Sequence, residues 1–105
     1  MPALSFIVFE DKVLDGTKRM TIRRLWKHPP KVGDKLYLYS HMRTKKCRLL
    51  KTAVCSAVEV RRWADMKDDL ELAKADGFDS LADFRKWFIG LYEPTDETRF
   101  MIVKW

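Results

Sequence analysis

The residues best suited to chemistry lie in one short stretch, GTKRMTIRR, at positions 16–24. Four cations, Lys18, Arg19, Arg23 and Arg24, fall within these nine residues, and like charges held this close repel one another. An anionic or polar ligand lying among the cations would offset that repulsion. The stretch therefore predicts a binding site, and its alternation of polar and apolar residues predicts that a strand carries the site.

Lys18 and Thr21 are the candidates for chemistry within this stretch, and Arg23 is a candidate ligand-binding residue. If Lys18 is partly buried beside other cations, its pKa falls, and the neutral amine can act as a general base. Thr21 could then be the nucleophile. Alternation along the strand places Arg19, Thr21 and Arg23 on one face, with Met20 and Ile22 on the core face. The alternative is a solvated basic strand edge, which also prevents pairing with another chain.

Asp76 is a third candidate because it stands at the end of a predicted helix, immediately before Gly77. The negative end of the helix dipole disfavours a carboxylate at that position, and a residue placed against its preference often has a functional role. The alternative is an ordinary turn, since Asp-Gly is a common turn pair. The sequence leaves both interpretations open.

Further cations and one tryptophan extend the basic region. Arg24 and Lys27 flank Trp26, which is the best candidate for stacking on an unpaired base because aromatic rings among cations suit that task. A second basic cluster falls in a predicted loop and consists of Arg43, Lys45 and Lys46. These side chains are expected to contact phosphate, and a solvated hairpin tip is an equally good interpretation of them.

The charge of the chain points to an acidic partner. Net charge is +6, and residues 1–62 hold fifteen Lys and Arg against five Asp and Glu. Residues 63–105 hold six bases and ten acids, so the positive field belongs to the first part of the chain. Nucleic acid is the first expectation for the partner, and an anionic membrane surface is the second.

Several classes of protein are disfavoured by what the sequence lacks. It shows no signal peptide and no apolar run of 18 residues, so no membrane span is expected. The two cysteines and two histidines have no metal-binding spacing, so neither a metal nor a cofactor is expected. Cys47 and Cys55 are interpreted as reduced, packed thiols. These features favour a cytoplasmic protein, and we expect a monomer.

Hydrophobic patterning predicts short strands and a few helices. The apolar run 4–9 is expected to be a strand or the lead into a turn of helix. Strands are expected at 20–23, at 35–39 and at 99–105, with one long or two short strands over 47–60. A short helix over 10–14 should end at Gly16.

Two further helices are expected before the last strand. The first covers 68–75, and the second is capped by Ser80 and carries Leu81, Phe84, Phe88 and Leu91 on one face. With 105 residues, the chain is expected to form a single domain of α+β class. That domain would be a small β-barrel with two or three helices packed beside it.

The order of these features resembles the ASCH family, the activating-signal-cointegrator homology domains of the PUA-like superfold. The resemblance covers nearly the whole chain. Its parts are GTKRMTIR at 16–23, VGD at 32–34, AKADGF at 73–78 and the aromatic helix at 84–92. Each part is weak alone, and their order and spacing together are fairly specific.

The resemblance implies a barrel with a cleft between barrel and helices that binds RNA or nucleosides. Some small bacterial members of the family are amidohydrolases that cleave N4-acetylcytidine, and others have been proposed as ribonucleases or RNA-binding modules. The catalytic Lys and Thr of the amidohydrolases match Lys18 and Thr21, and their Glu falls on Asp76. An Asp is shorter than a Glu by about 1.5 Å, and misplacement by about 1 Å can cost roughly a hundredfold in rate.

The leading hypothesis is therefore binding of RNA or an RNA-derived nucleoside in a basic cleft. The second hypothesis is hydrolysis of an N4-acylated cytidine by Lys18, Thr21 and Asp76. Ribonuclease activity and a module that reads an acidic protein surface are less favoured; the predicted basic face carries few apolar anchors for a protein partner.

Overall fold

The computed structural model of the chain describes residues 2–6 and 8–105. Ile7, which belongs to the apolar run expected at 4–9, lies outside the described residues. The elements in chain order are β1 (Ala3–Phe6), α1 (Glu10–Asp15), β2 (Met20–Arg24), β3 (Lys35–Ser40), β4 (Arg48–Val54), β5 (Ala57–Arg62), α2 (Trp63–Met66), α3 (Leu70–Asp76), α4 (Leu81–Tyr92) and β6 (Arg99–Lys104).

The six strands form two three-stranded sheets. In the first sheet β3 lies between β1 and β4, and it runs parallel to β1 and antiparallel to β4. In the second sheet β6 lies between β2 and β5 and is antiparallel to both. The predicted α+β class is confirmed. The region predicted over 47–60 as one long strand or two is two strands, separated by Cys55 and Ser56.

The central strand β6 is apolar on both faces, so it can contribute to two separate cores. Phe100 and Ile102 belong to a core cluster shared with the helices α2, α3 and α4. Met101 and Val103 belong to a second cluster shared with the first sheet. Fully burying an aliphatic or aromatic side chain stabilises a protein by about 1.5–3 kcal/mol. Because β6 buries such side chains on both faces, the second sheet lies between the helices on one side and the first sheet on the other.

The Ser80 cap of α4 is confirmed, because the Ser80 side chain accepts a hydrogen bond from the Asp83 amide at 3.2 Å. The predicted apolar face is partly wrong: Leu91 is 55% exposed. Four-residue spacing continues the buried stripe of Phe84 and Phe88 to Tyr92, whose ring lies 5.2 Å from that of Phe100. Tyr92 therefore takes the core position predicted for Leu91.

Two further predictions need correction. Three helices, not two, lie between β5 and β6, because the one-turn helix α2 is too short to show periodicity in the sequence. Both cysteines are free as predicted, and Cys55 is buried, but Cys47 is exposed in the loop before β4 and is not packed. Among the described residues, no helix is long and apolar enough to cross a membrane.

The turn after α3 depends on a close contact between Gly77 and Phe9. Gly77 has a φ of 115°, and a Cβ atom built on it would lie 2.9 Å from the Phe9 ring. The Phe9 ring in turn meets Phe78 edge-on, with 5.0 Å between ring centres. The missing side chain of Gly77 thus allows the segment before α1 to pack on the end of α3.

We predict that Gly77→Ala destabilises the protein more than Gly16→Ala does. Both glycines have positive φ, which costs other residues about 1–2 kcal/mol. Only Gly77 would add a clash, which typically costs a further ~1–3 kcal/mol, because no atom lies within 4 Å of a Cβ on Gly16. Urea unfolding of both variants measures the difference, and equal losses would show that the Phe9 contact does not constrain the turn.

Candidate functional site

A cleft of about 180 Å³ lies where β1 and β2 meet the end of α3 and one face of α4. Its polar lining residues are Ser5, Lys18, Thr21, Arg23 and Asp76. Its aromatic lining residues are Phe6, Phe9, Phe78, Trp87, Phe88 and Tyr92. The cleft therefore combines a cluster of hydrogen-bonding groups with several ring faces and edges.

Lys18 and Asp76 form a buried pair within the cleft. The Lys18 ammonium lies 2.5 Å from Oδ1 of Asp76, and the two side chains are only 3% and 8% exposed. Lys18 also donates a hydrogen bond to the backbone carbonyl of Asp76. The backbone amide of Ile22 favours the charged form of the Asp76 carboxyl. The shorter acid therefore reaches the lysine, a contact that the sequence alone could not establish.

Burial moves the two members of this pair in opposite directions. It lowers the pKa of the Lys18 ammonium, although the charge and hydrogen bond of Asp76 oppose the effect. It raises the pKa of the Asp76 carboxyl, although the charge and hydrogen bond of Lys18 oppose that effect. Both directions bring the ion pair closer in energy to a neutral pair, with the proton on Asp76 and a free amine on Lys18.

The segment from α1 to β2 places Lys18 at the end of α3. Helix α1 ends at Gly16, and the Lys18 amide then donates to the carbonyl of Lys12 at 2.9 Å. The Lys12 side chain donates to the carbonyl of Gly77 at 2.7 Å. Lys12 and Lys18 thus satisfy carbonyl groups at the C-terminus of α3, where cations are favoured. They compensate for the unfavourable position of the Asp76 carboxylate.

Thr21 and Arg23 lie on the cleft side of β2, as the alternation predicted, whereas Arg19 is exposed and is not among the residues that line the cleft. Thr21 is 3% exposed, and its hydroxyl accepts a hydrogen bond from Nε of Arg23 at 3.2 Å. The Arg23 guanidinium also donates to the carbonyl of Ser5 at 2.6 Å and lies 5.0 Å from the centre of the Phe6 ring. Arg23 therefore joins β2 to β1, although the two strands belong to different sheets.

Sequence reasoning missed most of the aromatic wall of the cleft. The sequence placed Trp87 on the aromatic helix, and in the structure it is partly buried and lines the cleft. Phe78 lies 6.5 Å from Trp87 between ring centres. The signal for Phe78 was its place directly after the Asp76-Gly77 turn. Neither Phe6 nor Phe9 carried a signal, because their role depends on packing between distant segments.

The other predicted ligand-binding residues are not among those that line the cleft. Arg24 lies at its margin, where it donates to the Tyr92 carbonyl at 3.0 Å. Trp26 is partly buried and packs against the second core cluster. Lys27 and the loop cluster Arg43, Lys45 and Lys46 are exposed. Their roles in binding stay predictions.

The described part of the chain contains no group of three His, Cys, Asp or Glu side chains placed to hold a metal ion. The polar side chains that line the cleft supply an amine, a carboxyl group, hydroxyl groups and a guanidinium. Such a set can exchange protons and form several hydrogen bonds with one polar ligand.

Comparison with solved structures identifies the fold. The chain superposes on ASCH from Zymomonas mobilis with a TM-score of 0.66, and on its S128A mutant with a TM-score of 0.64. Sequence identity is 16% in both cases, and each match covers 97% of this chain and 64% of the other. No protein-family profile and no curated protein matches the sequence. The chain has the ASCH fold, as the resemblance predicted.

We predict that removing one member of the buried pair destabilises the protein more than replacing both. Lys18→Met and Asp76→Asn each leave a buried polar group without its partner, and such losses typically cost ~3–5 kcal/mol. The double variant Lys18→Met/Asp76→Leu should be more stable than either single variant. Chemical unfolding of the three variants measures these differences.

The exposed pair of Lys67 and Asp96 supplies the control. Its atoms lie 3.1 Å apart with side chains 38% and 66% exposed, so Lys67→Met should change stability by no more than about 1 kcal/mol. If Lys18→Met lowered the stability by no more than Lys67→Met does, Lys18 would not be a buried charge that depends on its partner.

Proposed function

We propose that the cleft binds the base of an RNA-derived nucleoside or nucleotide. The observation that carries the proposal is the meeting of Lys18, Thr21, Arg23 and Asp76 with aromatic side chains in one cleft. A nucleobase has π faces that suit aromatic neighbours and a polar edge that suits convergent donors and acceptors.

The size of the cleft supports a small ligand. Sites for drug-sized molecules occupy roughly 300–1,000 Å³, whereas this cleft has a volume of about 180 Å³. One planar ring with its substituents suits that space better than a length of RNA strand. A nucleotide within RNA would have to place its base in the cleft and leave its backbone outside.

The charges inside the cleft support an uncharged moiety. Lys18 is paired with Asp76, and Arg23 donates to the carbonyl of Ser5. Neither cation is left without a partner to attract a phosphate. We propose that phosphate groups, where the ligand has them, are contacted outside the cleft by the exposed cluster of Arg43, Lys45 and Lys46.

We predict that cytidine binding and RNA binding depend on different residues. Trp87→Leu should weaken the affinity for cytidine by roughly tenfold, since stacking of a base on an aromatic ring contributes about 1–3 kcal/mol. Lys45→Ala/Lys46→Ala should leave cytidine affinity unchanged, but should weaken binding of a short single-stranded RNA and reduce its salt dependence. Titration calorimetry at two salt concentrations measures both effects.

Two results would contradict the proposal. One is the absence of cytidine binding at millimolar ligand while RNA binds tightly, which would assign recognition to the exposed cations. The other is an unchanged affinity of Trp87→Leu for cytidine, which would move the base out of the cleft.

Hydrolysis of an N-acylated base is the second candidate function, and the buried pair favours it. Burial lowers the pKa of Lys18 and raises that of Asp76, which is the environment that a lysine base requires. The resemblance to amidohydrolases that use Lys, Thr and Glu agrees with these positions. Asp76 in place of Glu still contacts Lys18 directly, at 2.5 Å.

The proposed reaction uses the neutral pair. The Lys18 amine takes a proton from water, and the resulting hydroxide adds to the acyl carbon of the substrate amide. The bond from that carbon to the exocyclic nitrogen then breaks as the protonated Asp76 carboxyl donates its proton to the leaving amine. The proton that Lys18 took from water then passes to Asp76, which restores the neutral pair. The products are a carboxylic acid and the unmodified nucleoside. Thr21 either stabilises the oxyanion through its O–H or acts as the nucleophile in place of water.

We predict a bell-shaped pH dependence for deacetylation of N4-acetylcytidine, with both limbs moved inward. Activity requires the pair to hold one proton. Activity should fall at acid pH, where the pair binds a second proton, and the midpoint of this fall should lie above the usual Asp pKa of about 3.9. Activity should also fall at alkaline pH, where the pair loses its proton, and the midpoint of that fall should lie below the usual Lys pKa of about 10.4. Initial rates followed by absorbance across this range measure the profile.

Lys18→Ala and Thr21→Ala should abolish this turnover, and Lys45→Ala should leave it unchanged. Absence of turnover at high protein concentration would exclude hydrolysis of this substrate and leave nucleoside binding as the function to test. An alkaline limb at or above the usual lysine pKa would contradict a role for Lys18 as a buried base.

A further inference from the structure

A second apolar groove continues from the cleft along the outer surface of α4. It has a volume of about 400 Å³ and is lined by Phe78, Asp83, Lys86, Trp87, Gly90 and Leu91. Phe78, Trp87 and Leu91 line the cleft as well. A ligand whose ring occupies the cleft could therefore extend past Trp87 into the groove.

Gly90 is unusual because it lies within α4, and no close contact with a neighbouring segment requires a glycine there. A glycine inside a helix costs about 1 kcal/mol relative to alanine. No atom lies within 4 Å of a Cβ placed there, and its φ is not positive. A helical side chain covers the turn before its own Cα, so a larger residue at 90 would lie over Lys86 and Trp87. Glycine at this position keeps the groove open.

The groove also lacks a net charge that would attract a phosphate. Asp83 and Lys86 are both exposed and carry opposite charges. The groove is also lined by the apolar side chains of Trp87 and Leu91, the latter 55% exposed. An apolar concave surface that continues a ligand cleft suits an apolar part of a ligand, and the balance of charge favours an uncharged group.

We infer that the groove binds an apolar substituent on the exocyclic nitrogen of the base, so the ligand is an N-alkylated or N-acylated nucleoside with a bulky apolar group. This inference rests on the proposed binding of a nucleobase in the cleft. The ring would contact the aromatic wall near Lys18 and Asp76, and the substituent would pass Trp87 and cover Leu91.

The test compares N4-methylcytidine with N4-benzylcytidine, whose substituents are held by amine bonds that amide hydrolysis does not cleave. In the wild type, calorimetry should show N4-benzylcytidine binding roughly tenfold more tightly, because the phenyl ring buries additional apolar surface. In Gly90→Leu that advantage should disappear, while affinity for N4-methylcytidine stays within about twofold. Gly90→Leu should also have a higher Tm, which shows that the variant is folded.

Lys86→Ala is the matched control, since it changes the groove margin without filling it and should keep most of the benzyl advantage. The inference is overturned if the benzyl group gives no advantage in the wild type, or if the advantage survives Gly90→Leu. It is also overturned if the dinucleotide CpC binds more tightly than N4-methylcytidine, N4-benzylcytidine does not, and Gly90→Leu removes the advantage of CpC. The groove would then hold a second base. If none of the compounds binds, the proposed nucleoside binding itself fails.

Discussion

The candidate site depends on one contact, the buried pairing of Lys18 with Asp76. It joins the turn before β2 to the C-terminus of α3, two segments separated by 58 positions in the chain. Taking two charges out of water is costly, and their attraction compensates for that cost only with good geometry and further hydrogen bonds. Here the backbone carbonyl of Asp76 accepts a further hydrogen bond from Lys18. The pair thus joins two of the segments that line the cleft.

The surrounding structure holds that pair between two cores. Strand β6 divides the cores, and β2 pairs with it through the register that sets Thr21 opposite Val103. On the other side, Phe9 packs against Gly77 and fixes the turn that follows Asp76. The structure also explains how four cations are accommodated within residues 16–24. Lys18 and Arg23 turn into the cleft, whereas Arg19 and Arg24 are exposed, so the like charges are kept apart.

Much of this arrangement could be predicted from the sequence where the signal was local. The strand carrying Thr21 and Arg23, the glycine that ends α1 and the Ser80 cap each depend on neighbouring residues. The aromatic wall could not be predicted, since Phe9 and Trp87 acquire their roles only when distant segments meet. Trp26 has the local pattern expected of a stacking residue, an aromatic ring among cations, and yet it packs against the second core cluster.

The central claim is that a nucleobase binds beside the Lys18–Asp76 pair, against Trp87. The most direct measurement is a titration of the ¹⁵N-labelled protein with cytidine, followed through the indole N–H signals of its four tryptophans, each assigned by substitution. The account predicts a saturable shift of the Trp87 signal, with the Trp26 signal unchanged. A shift of Trp26 with Trp87 unaffected, or no shift of either signal at millimolar cytidine, would contradict it.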